Sequence, residues 1–187
     1  MQMNVIRDIG IYSYYFSKTF RFTDSFEPLS EITYRLNAIE SNNIKIHNLA
    51  LSDHRDNLDI YIPLDNGNTI HTLASLEKKN GEHIKRNVNV RTLDSFEFLD
   101  VDLIKIDVEG HEKSVLLGAK DTIKKCRPIM IVEIEQRHVD CNINEIFNII
   151  LDLNYEGFFM VNRQIKPLSL FSYEVNQAPY LENVKDP

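Results

Sequence analysis

The chain has no tryptophan, two cysteines, and six glycines and six prolines in 187 residues. Cys126 and Cys141 are too few for a disulfide framework and lack metal-ligand spacing, so they read as reduced packing thiols of an intracellular protein. The glycines are too scattered to build a phosphate cradle. There is no Gly-x-Gly-x-x-Gly, no P-loop and no Gly-x-Ser-x-Gly elbow. This argues against a nicotinamide dinucleotide, whose pyrophosphate needs close backbone approach, whereas a cofactor without phosphate manages with less. No apolar run approaches the roughly 18–20 residues of a membrane span. The opening MQMNVIRDIG has no long apolar core and no cleavage site, so a cytoplasmic location is expected. Positive charge is also short, 21 Lys and Arg against 28 Asp and Glu, for a net −7. An acidic chain without a basic patch is a poor partner for nucleic acid or anionic membrane. Lys124, Lys125 and Arg127 read instead as cations closing a helix C-terminus.

What is present is an ordinary globular composition, 43% hydrophobic and 26% charged, of a length that suits one domain over residues 1–187. The chain is organised around VDLIKIDVEGHE at residues 101–112. Its apolar start suits a strand buried on both faces in a parallel sheet. It ends in Asp107, Glu109 and Glu112, broken by Gly110, and a helical pattern follows through Val115, Leu116, Ala119 and Ile123. In open α/β sheets ligands bind at the carboxyl ends of strands, and carboxylates there are costly unless they meet partners. The plainer alternative is that Glu112 complements a helix N-terminus while Glu109 is solvated.

In chain order, strands are expected at residues 3–8, 22–26 and 44–51, with helices at 11–20 and 28–40 between them. The aromatics Tyr12, Tyr14, Tyr15 and Phe16 read mostly as core, with one ring free to flank a bound base. Residues 58–62 alternate as an edge or antiparallel strand. The pattern dissolves from 63 to about 83, so 63–92 is expected to be an insertion, a flexible lid or an acceptor-side region, with a further strand near 83–93. Asp94 with Glu97 resembles a capping box. Strands follow at 101–106, 129–134 and 158–161, with a helix at 142–153. This alternation means a parallel sheet with helices on both faces.

Four expected parallel strands end in acids: Asp8, Glu27, Asp107 with Glu109, and Glu133 with Glu135. Parallel strands put these ends on one side, so one acidic rim is expected over a cleft. A carboxylate at Glu27, ending the second strand, can accept both hydroxyls of an adenosine ribose. Alternatively it is a solvated acid before a proline. His111 beside the acids reads as a surface histidine of a first helical turn, or as a proton carrier, and His138 as a loop residue.

At this point the residues resemble a family. VDLIKIDVEGHEKSVLLGA, with Thr92-Leu93-Asp94 before it and IMIVEIE after it, is similar to the core of the FkbM-type S-adenosylmethionine-dependent methyltransferases. Phe26-Glu27-Pro28 and Leu49-Ala50-Leu51-Ser52-Asp53 match further signatures in order. The resemblance implies a Rossmann-like class I methyltransferase fold with a mostly parallel seven-stranded sheet. It implies S-adenosyl-L-methionine as cofactor and methyl transfer to a hydroxyl of a sugar or other small natural product. Carried over, Asp8 and Gly10 belong to the first cofactor motif, Glu27 holds the ribose, and Ser52 and Asp53 lie near the adenine. Asp107 then sits by the methyl group, with Glu109 close to the acceptor. Asp107 or Glu109 would take the hydroxyl proton, directly or through a Mg²⁺ held by the same carboxylates. One departure stands out. Asp8-Ile9-Gly10 runs straight into Ile11-Tyr12-Ser13, about four residues short of the family's usual loop (Asp-x-Gly-Ala-Asn-x-Gly). The alternative it opens is a degenerate methyltransferase-fold binding or scaffold protein with an impaired cofactor loop.

Overall fold

The computed structural model describes residues 2–6, 11–39, 41–78 and 80–181, with side chains from residue 12 onward. Asp8 and Gly10 therefore lie outside the described residues. The first half supplies β1 (Gln2–Ile6), α1 (Ile11–Ser17), β2 (Phe22–Phe26), α2 (Ser30–Asn37) and β3 (Ile44–His47). Further on come β4 (Ala50–Leu51), β5 (Asp56–Asp65), β6 (Asn68–Thr69), β7 (His83–Arg91) and β8 (Val101–Ile106). The second half is α3 (Glu112–Leu117), α4 (Lys120–Cys126), β9 (Ile129–Val132), α5 (Ile143–Leu151), β10 (Phe158–Val161), β11 (Gln164–Pro167), α6 (Tyr173–Asn176) and α7 (Ala178–Leu181).

The α/β class and the parallel core agree with expectation, but the seven-stranded sheet does not. Five strands pair in parallel in the order β3-β2-β1-β8-β9. A separate sheet runs β4-β7-β5-β6, and β10 and β11 form a hairpin of their own. The expected strand at 44–51 is divided between the two larger sheets, β3 pairing with β2 and β4 with β7. The strand at 158–161 pairs antiparallel with β11 instead, across a turn in which Asn162 and Arg163 both take positive φ, 50° and 60°. A two-residue turn of that kind folds a chain back on itself locally.

Within 63–92 the further strand expected near 83–93 is present as β7, and residues 63–65 and 68–69 are strand-paired as well. β5 and β7 pair antiparallel from Asp56↔Val90 to Pro63↔His83. Asn66 and Gly67, at φ 49° and 79°, turn β5 into β6. Asn-Gly is the residue pair this turn favours. The apolar face of this sheet, with Ile60, Ile62, Val88 and Val90, packs with Leu29, Ile32 and Leu36 as one core. A second core joins Ile104 and Ile106 of β8 to Val115, Leu116, Ile123 and Ile146 of α3, α4 and α5.

Two local expectations are corrected. In α1, Tyr12, Tyr14 and Tyr15 are exposed, and Ser13 and Ser17 are buried in their place. Ser13 and Ser17, four residues apart, share the helix face that turns inward, which leaves the three tyrosines on the other faces. Asp94 caps a different helix from its own turn. Its carboxylate accepts the Asp121 and Thr122 backbone N–H groups at 3.1 and 2.8 Å and the Thr122 hydroxyl at 2.7 Å. It thereby closes the start of α4, while Glu97, at φ 55°, ends the 3-10 turn Asp94–Phe96, its N–H donating to the Asp94 carbonyl at 3.1 Å. Asp94→Ala should cost about 2 kcal/mol, the upper end of helix-cap losses. Urea denaturation will check it, and no measurable loss would show that the cap contributes nothing.

Candidate functional site

The site is built on the turn from Asp107 to His111, between β8 and α3. Beneath it lies Lys105, buried in the strand, whose ammonium donates to Asp107 Oδ2 at 2.8 Å and sits 4.2 Å from the centre of the Tyr12 ring. A buried cation needs such a partner. Lys105 and Asp107 are two residues apart in a strand, so they share a face. That spacing in an apolar run was a legible but overlooked signal.

Glu109 takes φ 54°. Non-glycine residues rarely adopt that conformation, and it occurs where surroundings hold it. Ser75 donates to the Glu109 carbonyl at 2.8 Å, and the carboxylate Oε2 lies 2.6 Å from His138 Nδ1. Glu109 is thus held rather than solvated. Gly110, at φ +106°, explains how His138 comes so close. A Cβ there would stand 2.1 Å from the His138 carbonyl oxygen. His138, expected in a loop, ends a short 3-10 turn (Gln136–His138) and is nearly fully buried. Glu112 Oε1 accepts the Gly110 N–H at 3.0 Å, tying the turn from below, and burial raises the Glu112 pKa.

The acids of the two neighbouring strand ends form one electrostatic group. Burial, followed by Asp107 and, after it, Glu109 and Glu135, raises the Glu133 pKa, while Lys105 opposes the rise. Glu135 is held by Arg137 at 2.5 Å and lies 4.0 Å from His138 Nε2. An acidic rim therefore exists at the ends of β8 and β9, with Lys105, His138 and Arg137 set among the carboxylates. Among the described residues no three His, Cys, Asp or Glu side chains converge as metal ligands, so nothing supports the Mg²⁺ route.

The remaining sequence candidates lie to one side. Glu27 is buried, not part of an open rim, and its Oε1 accepts the Leu29 N–H at 2.7 Å at the entry to α2. Its neighbours Phe26 and Pro28 line a small cavity of about 30 Å³ together with Leu51, Val108 and His111. Ser52 is buried and Asp53 is partly exposed. A hydrogen bond from His54, helped by Ser52, holds the Asp53 carboxyl below its usual value. His111, expected at the surface, is buried beside Ser52. The structure thus brings Asp107, Glu109, Glu133 and Glu135 together and sets Ser52 and the neighbours of Glu27 across His111 from them. His138, Ser75 and Glu77 carried no periodicity or spacing that sequence reasoning could have used.

The methyltransferase FkbM domain family matches residues 11–157. Among solved structures, an FkbM methyltransferase from Methylobacillus flagellatus KT superposes with a TM-score of 0.56 at 17% identity, over 87% of this chain and 40% of that one. At that identity the likeness speaks for the fold alone, and the present chain spans well under half of that protein's length. No curated protein matches. No helix among the described residues is long and apolar enough to cross a membrane. The family match covers most of the chain and includes the acid turn and both flanking loops, so the chain belongs to the FkbM methyltransferase domain family.

Proposed function

We propose that the protein transfers a methyl group from S-adenosyl-L-methionine to a hydroxyl of a small acceptor, a saccharide or another natural product. The observation that carries this reading is the Asp107–His111 turn. It places two carboxylates at the end of a parallel strand and fixes them through Lys105, Ser75 and His138. The sulfonium already supplies a reactive methyl, so the protein's task is to align an oxygen behind it. As the O–CH₃ bond forms and the S–CH₃ bond breaks, the hydroxyl proton passes to Asp107 or Glu109 and S-adenosylhomocysteine leaves. Glu27 holds the ribose hydroxyls, Ser52 and Asp53 border the adenine, and Asp8 and Gly10 belong to the first cofactor motif. An acceptor that is neutral or cationic suits a rim of carboxylates better than a phosphorylated one.

Calorimetric titration with S-adenosylhomocysteine tests the cofactor half of the proposal. The wild type should bind in the micromolar range. Glu27→Gln keeps an acceptor for the Leu29 N–H but removes the charge, and Glu27→Ala removes both. Loss of two charge-assisted hydrogen bonds predicts roughly 100-fold weaker binding in Glu27→Ala, with Glu27→Gln between it and the wild type. No binding by the wild type would favour the scaffold reading that the shortened first motif opens.

A further inference from the structure

Four side chains form an unbroken file from the Ser52–Asp53 loop to Glu77, in the segment that follows the 3-10 turn His71–Leu73. Asp53 Oδ1 is 3.2 Å from Ser52 Oγ, Ser52 Oγ is 3.0 Å from His111 Nε2, and His111 Nδ1 is 2.7 Å from Glu77 Oε1. The middle pair is buried, Ser52 completely, whereas the Asp53 and Glu77 side chains are 41% and 44% exposed. The hydrogen bond from His111 lowers the Glu77 pKa against the opposing effect of its burial.

Serine, histidine and glutamate in this order also make a nucleophile relay. That reading fails here because Ser52 is closed to solvent and its carbonyl is packed against Gly118, where a Cβ would stand 2.0 Å away. No substrate carbonyl can reach the hydroxyl. What the file does is join places far apart in sequence. Its outer end, Glu77, lies two residues from Ser75, and Ser75 holds the Glu109 carbonyl. The 75–77 segment therefore grips the acid turn directly and the Ser52–Asp53 loop through His111. Buried polar groups strung in a file are costly to leave half-satisfied, so a change at one end is felt at the other.

We propose that His111 is a positioning residue of the cofactor site, and that Glu77 and Ser75 set the cofactor loop and the acid turn in one register. The proposal rests on the reading that Ser52 and Asp53 border the adenine. Cofactor occupancy and ordering of the 70–78 segment then favour each other, because such coupling is reciprocal.

The test uses the full chain with S-adenosylhomocysteine, reading affinity by calorimetry and amide exchange over 70–78. In the wild type, bound ligand should slow exchange in that segment. Glu77→Gln is half-exposed and nearly isosteric, so its fold should persist. It and His111→Gln should bind at least about fivefold more weakly and lose the slowing. Adding Glu77→Gln to Ser52→Ala should weaken binding no further than Ser52→Ala alone, since both cut one file. Wild-type affinity and unchanged protection in Glu77→Gln would overturn the proposal, as would ligand binding that leaves 70–78 unaffected in the wild type. If the wild type binds no ligand at all, the cofactor reading falls and this one with it, so the two failures are distinguishable.

Discussion

Gly110→Ala should destabilise the fold by about 3–5 kcal/mol, through two penalties that act together. Its φ of +106° lies outside the conformations that alanine adopts easily, and the new Cβ would lie 2.1 Å from the His138 carbonyl oxygen. That oxygen belongs to the main chain of the 3-10 turn, so no side-chain rotation relieves the contact. The turn must move, and with it the pairing of Glu109 and His138. Gly67→Ala is the internal control. Its φ of +79° carries strain of the same kind, but nothing lies within 4 Å of the added Cβ, so about 1 kcal/mol is expected. In urea both variants should lower the midpoint with little change of slope, Gly110→Ala by far the more. Equal losses would mean that the turn is not packed on the His138 carbonyl, and the account of how Glu109 is placed would fail with it.

Removing the acids of that turn should sharply slow the proposed methyl transfer. The informative variants are Asp107→Asn and Glu109→Gln: Asp107→Asn loses the counter-charge of the buried Lys105 but keeps an oxygen to accept its hydrogen bond, whereas Asp107→Ala loses both, roughly 3–5 kcal/mol that confounds chemistry with stability. A positioned proton acceptor contributes about 10²–10⁴ in rate. Turnover of labelled S-adenosylmethionine, with an acceptor that the wild type methylates, should fall by that range in at least one variant. Glu109→Gln should leave S-adenosylhomocysteine affinity within a few-fold, since Glu109 is assigned to the acceptor side. Asp107→Asn should weaken it as well, since Asp107 is assigned to the methyl end. Retained turnover in both would remove these residues from the chemistry. A loss confined to ligand affinity would turn them into cofactor holders.

Much of this was legible in the chain itself. The apolar run at 101–106 is a strand with most of its side chains inside, whereas in 129–132 only Met130 and Val132 turn inward and Ile129 and Ile131 are exposed. The acids after them stand at strand ends, and Gly110 after Glu109 announced a tight turn. Asn142 caps α5, accepting the Asn144 N–H at 2.9 Å, where the pattern had put the helix start. Other features were present but misjudged. Asn66-Gly67 is a hairpin signal, and the polar residues around it hide the short strand that follows. The Asn162-Arg163 turn, which joins β10 to β11, has no such signature.

The α/β class and the central strand with its acid turn were readable in the chain, because they depend on periodicity and on neighbouring residues, and the family showed as a resemblance carried by local motifs. Only the tertiary structure decided what each acid meets. Glu109 faces His138 and Ser75, and His111 faces Ser52 and Glu77, across separations of 29 to 59 residues. Such pairs are fixed by how two sheets and a 3-10 turn pack around Gly110 and Gly118. A side chain's own type says only that it will need a partner once buried, not which one the packing will bring.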